Sequence, residues 1–172
     1  MTRCACLLSV LSLLTVGCSP FVDDDATTQG KHAIYHGDRE SGEEWVVAVH
    51  YTSPDTGNLR LCTGSLIAPN AVLTAKHCIF HQNPDESGVE LDLQELTVSV
   101  TDDMTSPDGP KQALGVASVW TTPEIYSRQD ALDGKDIAVL ELDGNVEGVT
   151  PVDYAREAPA QDTDVDIIGF GL

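Results

Sequence analysis

The sequence predicts an all-β protein, an antiparallel barrel or sandwich, on three observations. Six extended runs rich in Val, Ile, Leu, Thr and aromatic residues recur between Trp45 and Leu142. Gly, Pro, Asp and Asn clusters separate them, and the stretches between them carry little 3.6-residue apolar spacing. Short strands at such intervals, punctuated by turn residues, are the pattern of a closed or stacked antiparallel sheet. The 172 residues allow one domain with a modest core once a leader is set aside.

Residues 1–17 are that leader. A single cation at Arg3 precedes the apolar run Leu7 to Val16, too short to span a bilayer as a mature helix and suited to a secretory signal. The run ends Leu14-Thr15-Val16-Gly17-Cys18, similar to a bacterial lipobox, with Thr15 where a large aliphatic residue is usual; Cys18 is therefore the expected lipidation site, and plain secretion the alternative. Residues 18–33 include Asp23-Asp24-Asp25, lack periodicity and read as a polar tether or propeptide.

Trp45 to Tyr51 is the first strand by its β-branched and aromatic content, with Thr52 to Asn58 as its turn. Cys62 to Ala68, Pro69-Asn70 and Ala71 to Ala75 form strand, tight turn and returning strand, leaving His77 just past a strand end. Residues 81–95 are polar and expected to be a loop. Leu96 to Thr101 alternates with period two, Thr101 to Pro110 is a second loop, and Gln112 to Trp120 is the next extended run. Residues 126–135 read as irregular, and Asp136 opens an apolar strand ending at Leu142. The Gly-, Pro- and Ala-rich residues 143–163 read as a connector, and residues 164–172 as the start of another strand.

Charge and cysteine content narrow the function classes. With 28 acidic against 9 basic residues the formal net charge is −19, which repels phosphate backbones and anionic lipid. Nucleic acid is not an expected partner, and membrane contact is expected only through a lipid on Cys18. Of five cysteines, cleavage after residue 17 removes Cys4 and Cys6, and lipidation of Cys18 leaves one pair, Cys62 and Cys78. A disulfide between them would clamp the hairpin to the residue beside His77 and add roughly 3 kcal/mol on the chain-entropy model.

Hydrolysis by a nucleophile needs a hydroxyl or thiol, an imidazole to take its proton, a carboxylate to orient the imidazole, and oxyanion donors. His77 and Asp136 are candidates for the middle two. An aspartate opening an apolar strand needs a donor, and a His77 N–H is a suitable one; alternatively Asp136 closes the turn after Gly134-Lys135. The run Cys62-Thr63-Gly64-Ser65-Leu66-Ile67, leading through its turn to Val72-Leu73-Thr74-Ala75-Lys76-His77-Cys78, resembles the histidine segment of trypsin-like (chymotrypsin-family) serine proteases, C-x-G-[ST]-L-I followed by V-L-T-A-A-H-C. Asp136-Ile137-Ala138-Val139-Leu140-Glu141-Leu142 resembles that family's D-I-A-L-L-x-L.

The resemblance implies a six-stranded antiparallel Greek-key barrel over residues 34–142, the first half of a double barrel, with residues 164–172 as the first strand of the second. It implies serine endopeptidase chemistry on protein or peptide substrates, without a cofactor, with His77 as general base and Asp136 as its orienting acid, in an exported protein anchored in a bacterial envelope or secreted. Ile34-Tyr35-His36-Gly37 resembles I-V-G-G at its first and last positions, which makes Ile34 the expected activation N-terminus, although Ala33 precedes it instead of Arg or Lys. Lys76 stands where the family usually has alanine and is expected to point to solvent.

The family's G-D-S-G-G serine loop does not occur in these residues. Ser65 lies in the hairpin strand, and Ser87 and Ser106 lie in polar loops, so no nucleophile is assigned and the chain by itself is expected to be inactive. The alternative is a non-catalytic binding or decoy module on the same fold. No metal site is expected: His77 and His81 are four apart but lack the glutamate of a zincin, and the acidic stretch from Glu86 to Glu95 lacks an EF-hand spacing and reads as a solvated loop. His32, His36 and His50 read as surface or strand residues, and Trp45 and Trp120 as core or interface aromatics.

Overall fold

The structure, a computed structural model, describes residues 41–53, 56–82, 88–123 and 125–170. The expected leader (1–17), the tether (18–33), Cys18 and Ile34 lie outside the described residues. The elements are β1 (Val46–Thr52), β2 (Leu59–Ala68), β3 (Ala71–Thr74), a 3-10 turn (Lys76–Ile79), β4 (Phe80–Gln82), β5 (Gly88–Glu90), a second 3-10 turn (Leu93–Glu95), β6 (Thr97–Val100), β7 (Gln112–Thr121), α1 (Arg128–Leu132) and β8 (Ala138–Leu142).

Six strands close into an antiparallel barrel in the order β1-β2-β3-β8-β7-β6. The fourth barrel strand along the chain, β6, lies beside the first, β1, which is the Greek-key arrangement. Closure removes sheet edges, so no strand of the barrel is left with an unpaired row of backbone donors.

Alternation along β3 and β8 places their apolar residues inside, while β1 and β6 are buried over several consecutive residues. In β3 and β8, Val72, Ala138, Leu140 and Leu142 are buried while their neighbours are less covered. Val47 and Val49 of β1, Leu66 of β2 and Val98 and Val100 of β6 complete the core, each at most 1% exposed. Each such side chain contributes about 1.5–3 kcal/mol by leaving water. Register shifts in β2 between Leu66 and Ala68 and in β7 between Val116 and Ser118 sharpen the local twist.

The start of the expected connector packs on this barrel. Val146 is buried, its N–H donates to Pro69 O at 2.7 Å, and Val152 N–H donates to Leu66 O at 2.9 Å.

Two local expectations change. The loop expected over 81–95 contains the small antiparallel pair β4–β5, with Phe80 opposite Glu90. The irregular stretch 126–135 contains α1. Residues 164–170 pair with no strand among the described residues; Phe170 meets the Thr63 hydroxyl, which accepts from its N–H at 2.8 Å and donates to its carbonyl at 3.0 Å. Of the two tryptophans expected as core or interface aromatics, Trp45 packs against the core and Trp120 is 70% exposed on β7.

Candidate active site

The pairing of β3 with β8 builds the site. Thr74 lies opposite Ala138 at the end of this antiparallel ladder, so the chain leaving β3 and the chain entering β8 emerge side by side. His77 follows Thr74 by three residues and Asp136 precedes Ala138 by two. The Lys76–Ile79 turn then aims His77 at Asp136, and the Cys62–Cys78 disulfide ties that turn to β2, its Cα atoms 6.0 Å apart.

His77 and Asp136 meet through two hydrogen bonds. The backbone N–H of His77 donates to Asp136 Oδ1 at 2.8 Å, and ring Nδ1 lies 2.8 Å from Oδ2. A carboxylate can only accept, so Nδ1 carries the proton and Nε2 is the ring nitrogen left free to take one. The Asp136 side chain is 16% exposed and that of His77 44%. The acid is thus largely withdrawn from water while the imidazole keeps an open edge.

Tyr126 covers one side of this couple. Its ring centroid is 5.9 Å from that of His77 and 6.4 Å from that of Phe80. Burial raises the Tyr126 hydroxyl above its usual pKa, and the negative charges of Asp136 and Asp130 add to the effect, so the phenol stays neutral beside the acid. A shallow depression of about 500 Å³ beside the couple is lined by Leu73, Ala75, Gly134 and Ile137, and Asp136 is its ionisable group.

Lys76 does not point to solvent. Its side chain is fully buried; Nζ donates to Thr122 Oγ1 at 2.7 Å and pairs with Asp130 Oδ2 at 3.1 Å, and it lies 6.0 Å from the centroid of the Phe80 ring. A buried ammonium needs an anion and hydrogen-bond acceptors, and the segment before Asp136 supplies them. Asp130 is held below the usual carboxylate range, first by the Ser127 backbone N–H it accepts and then, against the opposing effect of burial, by Lys76. Sequence reading missed Tyr126, Asp130 and Thr122 as neighbours of the site. One signal was available: Ser127-Arg-Gln-Asp130 has the S-x-x-D spacing of a helix start.

Other candidates fall elsewhere. Among the described serines, Ser99 Oγ lies 2.9 Å from His50 Nε2, Ser118 bonds Glu141, and Ser53 is buried with no side-chain partner. Ser65 is on β2 and Ser106 is in the β6–β7 loop; Ser87 lies outside the described residues. His50 sits on β1, and burial lowers its pKa. The three-ligand grouping found among the described residues, Cys62, His77 and Cys78, has both sulfurs joined in the disulfide and offers no thiolate to a metal.

Comparisons with known proteins identify the family and the fold. A family model described as Trypsin matches residues 30–172. The chain is 32% identical over 141 residues to "Trypsin" of Saccharopolyspora erythraea, covering 80% of this chain and 55% of that protein. It is 30% identical over 129 residues to "Tryptase" of Mus musculus, covering 75% and 42% respectively. It is also 28% identical over 161 residues to "Chymotrypsin-like elastase family member 3A" of Homo sapiens, covering 91% and 54%. The chain therefore spans about half the length of the curated relatives it matches. A solved structure described as "Structure of GrC" shares the fold with a TM-score of 0.50 at 21% identity, over 76% of this chain and 51% of that one.

Proposed function

Because the chain belongs to the trypsin family, we propose that it is the amino-terminal part of an exported serine endopeptidase, carrying the general base His77 and its orienting acid Asp136. The observation that carries this reading is the pair of hydrogen bonds between the two residues, 2.8 Å each, made by a histidine and an aspartate 59 positions apart.

The chemistry follows from the geometry. Asp136 accepts the Nδ1–H of His77, holds one tautomer, and stabilises the imidazolium that forms when Nε2 removes a proton from a nucleophile. That proton returns to the leaving amine. The G-D-S-G-G serine and its oxyanion donors are not among these residues, so hydrolysis by this route draws both from sequence beyond Leu172. Val165 and Ile167, 68% and 80% exposed, are apolar surface of the kind that a following barrel would cover.

We place the protein outside the cytoplasm, with residues 1–17 as signal, Cys18 as lipid anchor and Ile34 as activation N-terminus. The Cys62–Cys78 disulfide supports an oxidising compartment. The substrate in this reading is a protein or peptide, and no cofactor is invoked.

The test is to read the gene past codon 172 and assay the longest product on peptide substrates. An in-frame G-D-S-G-G and hydrolysis abolished by His77→Ala would support the proposal. A stop codon directly after Leu172 together with binding but no hydrolysis would replace it by the non-catalytic module.

A further inference from the structure

We propose that the buried Lys76–Asp130 ion pair positions the His77–Asp136 couple, acting as a brace between the two chain segments that carry base and acid. The inference rests on the reading of His77 and Asp136 given above. The backbone ladder between β3 and β8 stops at Thr74 and Ala138, short of both residues. Beyond the ladder the two segments are joined by the His77–Asp136 bonds themselves, and the ion pair adds a second, separate link.

Lys76 immediately precedes His77 in the same 3-10 turn. On the other side, the Asp130 carbonyl accepts the N–H of Lys135 at 2.8 Å, and Lys135 immediately precedes Asp136. Each partner of the pair is therefore tied within one residue of one member of the couple. Asp130 Oδ2 also accepts the Ser127 N–H at 3.1 Å, next to Tyr126, whose ring stands against His77. Thr122 Oγ1 takes a further Lys76 proton and attaches the end of β7 to the same point.

Burial of the pair argues for a role other than stability. Removing both charges from water costs much of what their attraction returns, and well-packed apolar residues of similar volume often serve stability as well or better. Lys76 is 0% exposed and Asp130 7% exposed. What an apolar pair would not supply is a directional link across 54 residues of sequence to the segment that presents Asp136.

The experiment uses the 172-residue chain with a Lys76→Met, Asp130→Asn double variant, which removes both charges while keeping volume and an acceptor for Ser127. Long-range proton–nitrogen NMR reads the tautomer of His77, and thermal unfolding is followed in parallel. In the unmodified chain His77 is expected in the Nδ1–H form set by Asp136. In the folded double variant the ratio of Nδ1–H to Nε2–H is expected to fall by several fold, while Lys111→Met, which removes a surface cation, leaves it unchanged. A folded double variant that keeps the unmodified ratio overturns the inference and leaves the His77–Asp136 reading standing. A Nε2–H tautomer in the unmodified chain overturns that reading and the inference with it. Should the double variant not fold, Asp130→Asn alone, read the same way, decides: a lowered ratio supports the brace and an unchanged one removes it.

Discussion

Asp136 grips His77 twice, through Oδ1 to its backbone N–H and through Oδ2 to its ring Nδ1, so that both the position of the residue and the rotation of its imidazole are set by one carboxylate. Asp136→Asn replaces an acceptor by an amide that can also donate, which releases the tautomer. In a form of the protein that includes a nucleophile, kcat is expected to fall about 10⁴-fold with the fold intact. Steady-state kinetics on a peptide substrate, with circular dichroism on the same sample, checks this; an Asp136→Asn enzyme within tenfold of the unmodified one would remove Asp136 from the mechanism.

The Cys62–Cys78 bond closes a 16-residue loop around the hairpin and the histidine turn. A Cys62→Ala, Cys78→Ala variant is expected to lose about 3 kcal/mol of stability. Urea denaturation reads the loss, and a reductant should lower the midpoint of the unmodified chain while leaving the variant where it is.

Gly64 has no room for a side chain. A Cβ there would collide with Val72 Cγ1 and reach 3.0 Å from Val49 Cγ2, both in the barrel core. Gly64→Ala is therefore expected to cost about 1–3 kcal/mol by overpacking. The midpoint of chemical denaturation measures it, and a change under 0.5 kcal/mol, about the size of an ordinary surface substitution, would show that the core yields.

His50 makes stability depend on pH with a definite sign. Burial lowers its pKa in the folded state below the ordinary 6.5, so the unfolded chain binds the proton more readily. The contribution of His50 is full above pH 6.5 and declines as the pH falls through 6.5 toward the folded value, and Asp130, whose folded pKa is also lowered, adds a second loss below its ordinary 3.8. Urea midpoints at pH 8, 6 and 5 should decrease in that order. His50→Gln, which keeps a polar partner for Ser99, should flatten the slope between pH 7 and 5; an unaltered slope would assign it to other groups.

Most of the barrel was legible because its strands announce themselves locally. Period-two alternation, the Pro69-Asn70 turn and the acid at the head of an apolar strand are short-range patterns, whereas Asp136 beside His77 was expected through the resemblance of both segments to the trypsin-like family. For residues 164–170 composition suits a strand but names no partner; among the described residues Phe170 bonds the Thr63 hydroxyl. The α1 turn hid in a stretch with no apolar periodicity, where only the S-x-x-D spacing marked its start.

Taken alone, the sequence determined the all-β class, the strands of the barrel, the cysteine pair and the identity of the candidate base and acid, since each depends on neighbours a few residues away or on a distinctive order of residue types. The six-stranded barrel was expected only through the family resemblance, and the tertiary structure alone decided the two 2.8 Å bonds of Asp136 and the direction of Lys76. A lysine before the histidine reads as a solvated cation because nothing within a turn of it offers an anion. Its acceptors, Thr122 and Asp130, lie 46 and 54 positions away and reach it only when β7, α1 and the histidine turn are brought together at one end of the barrel.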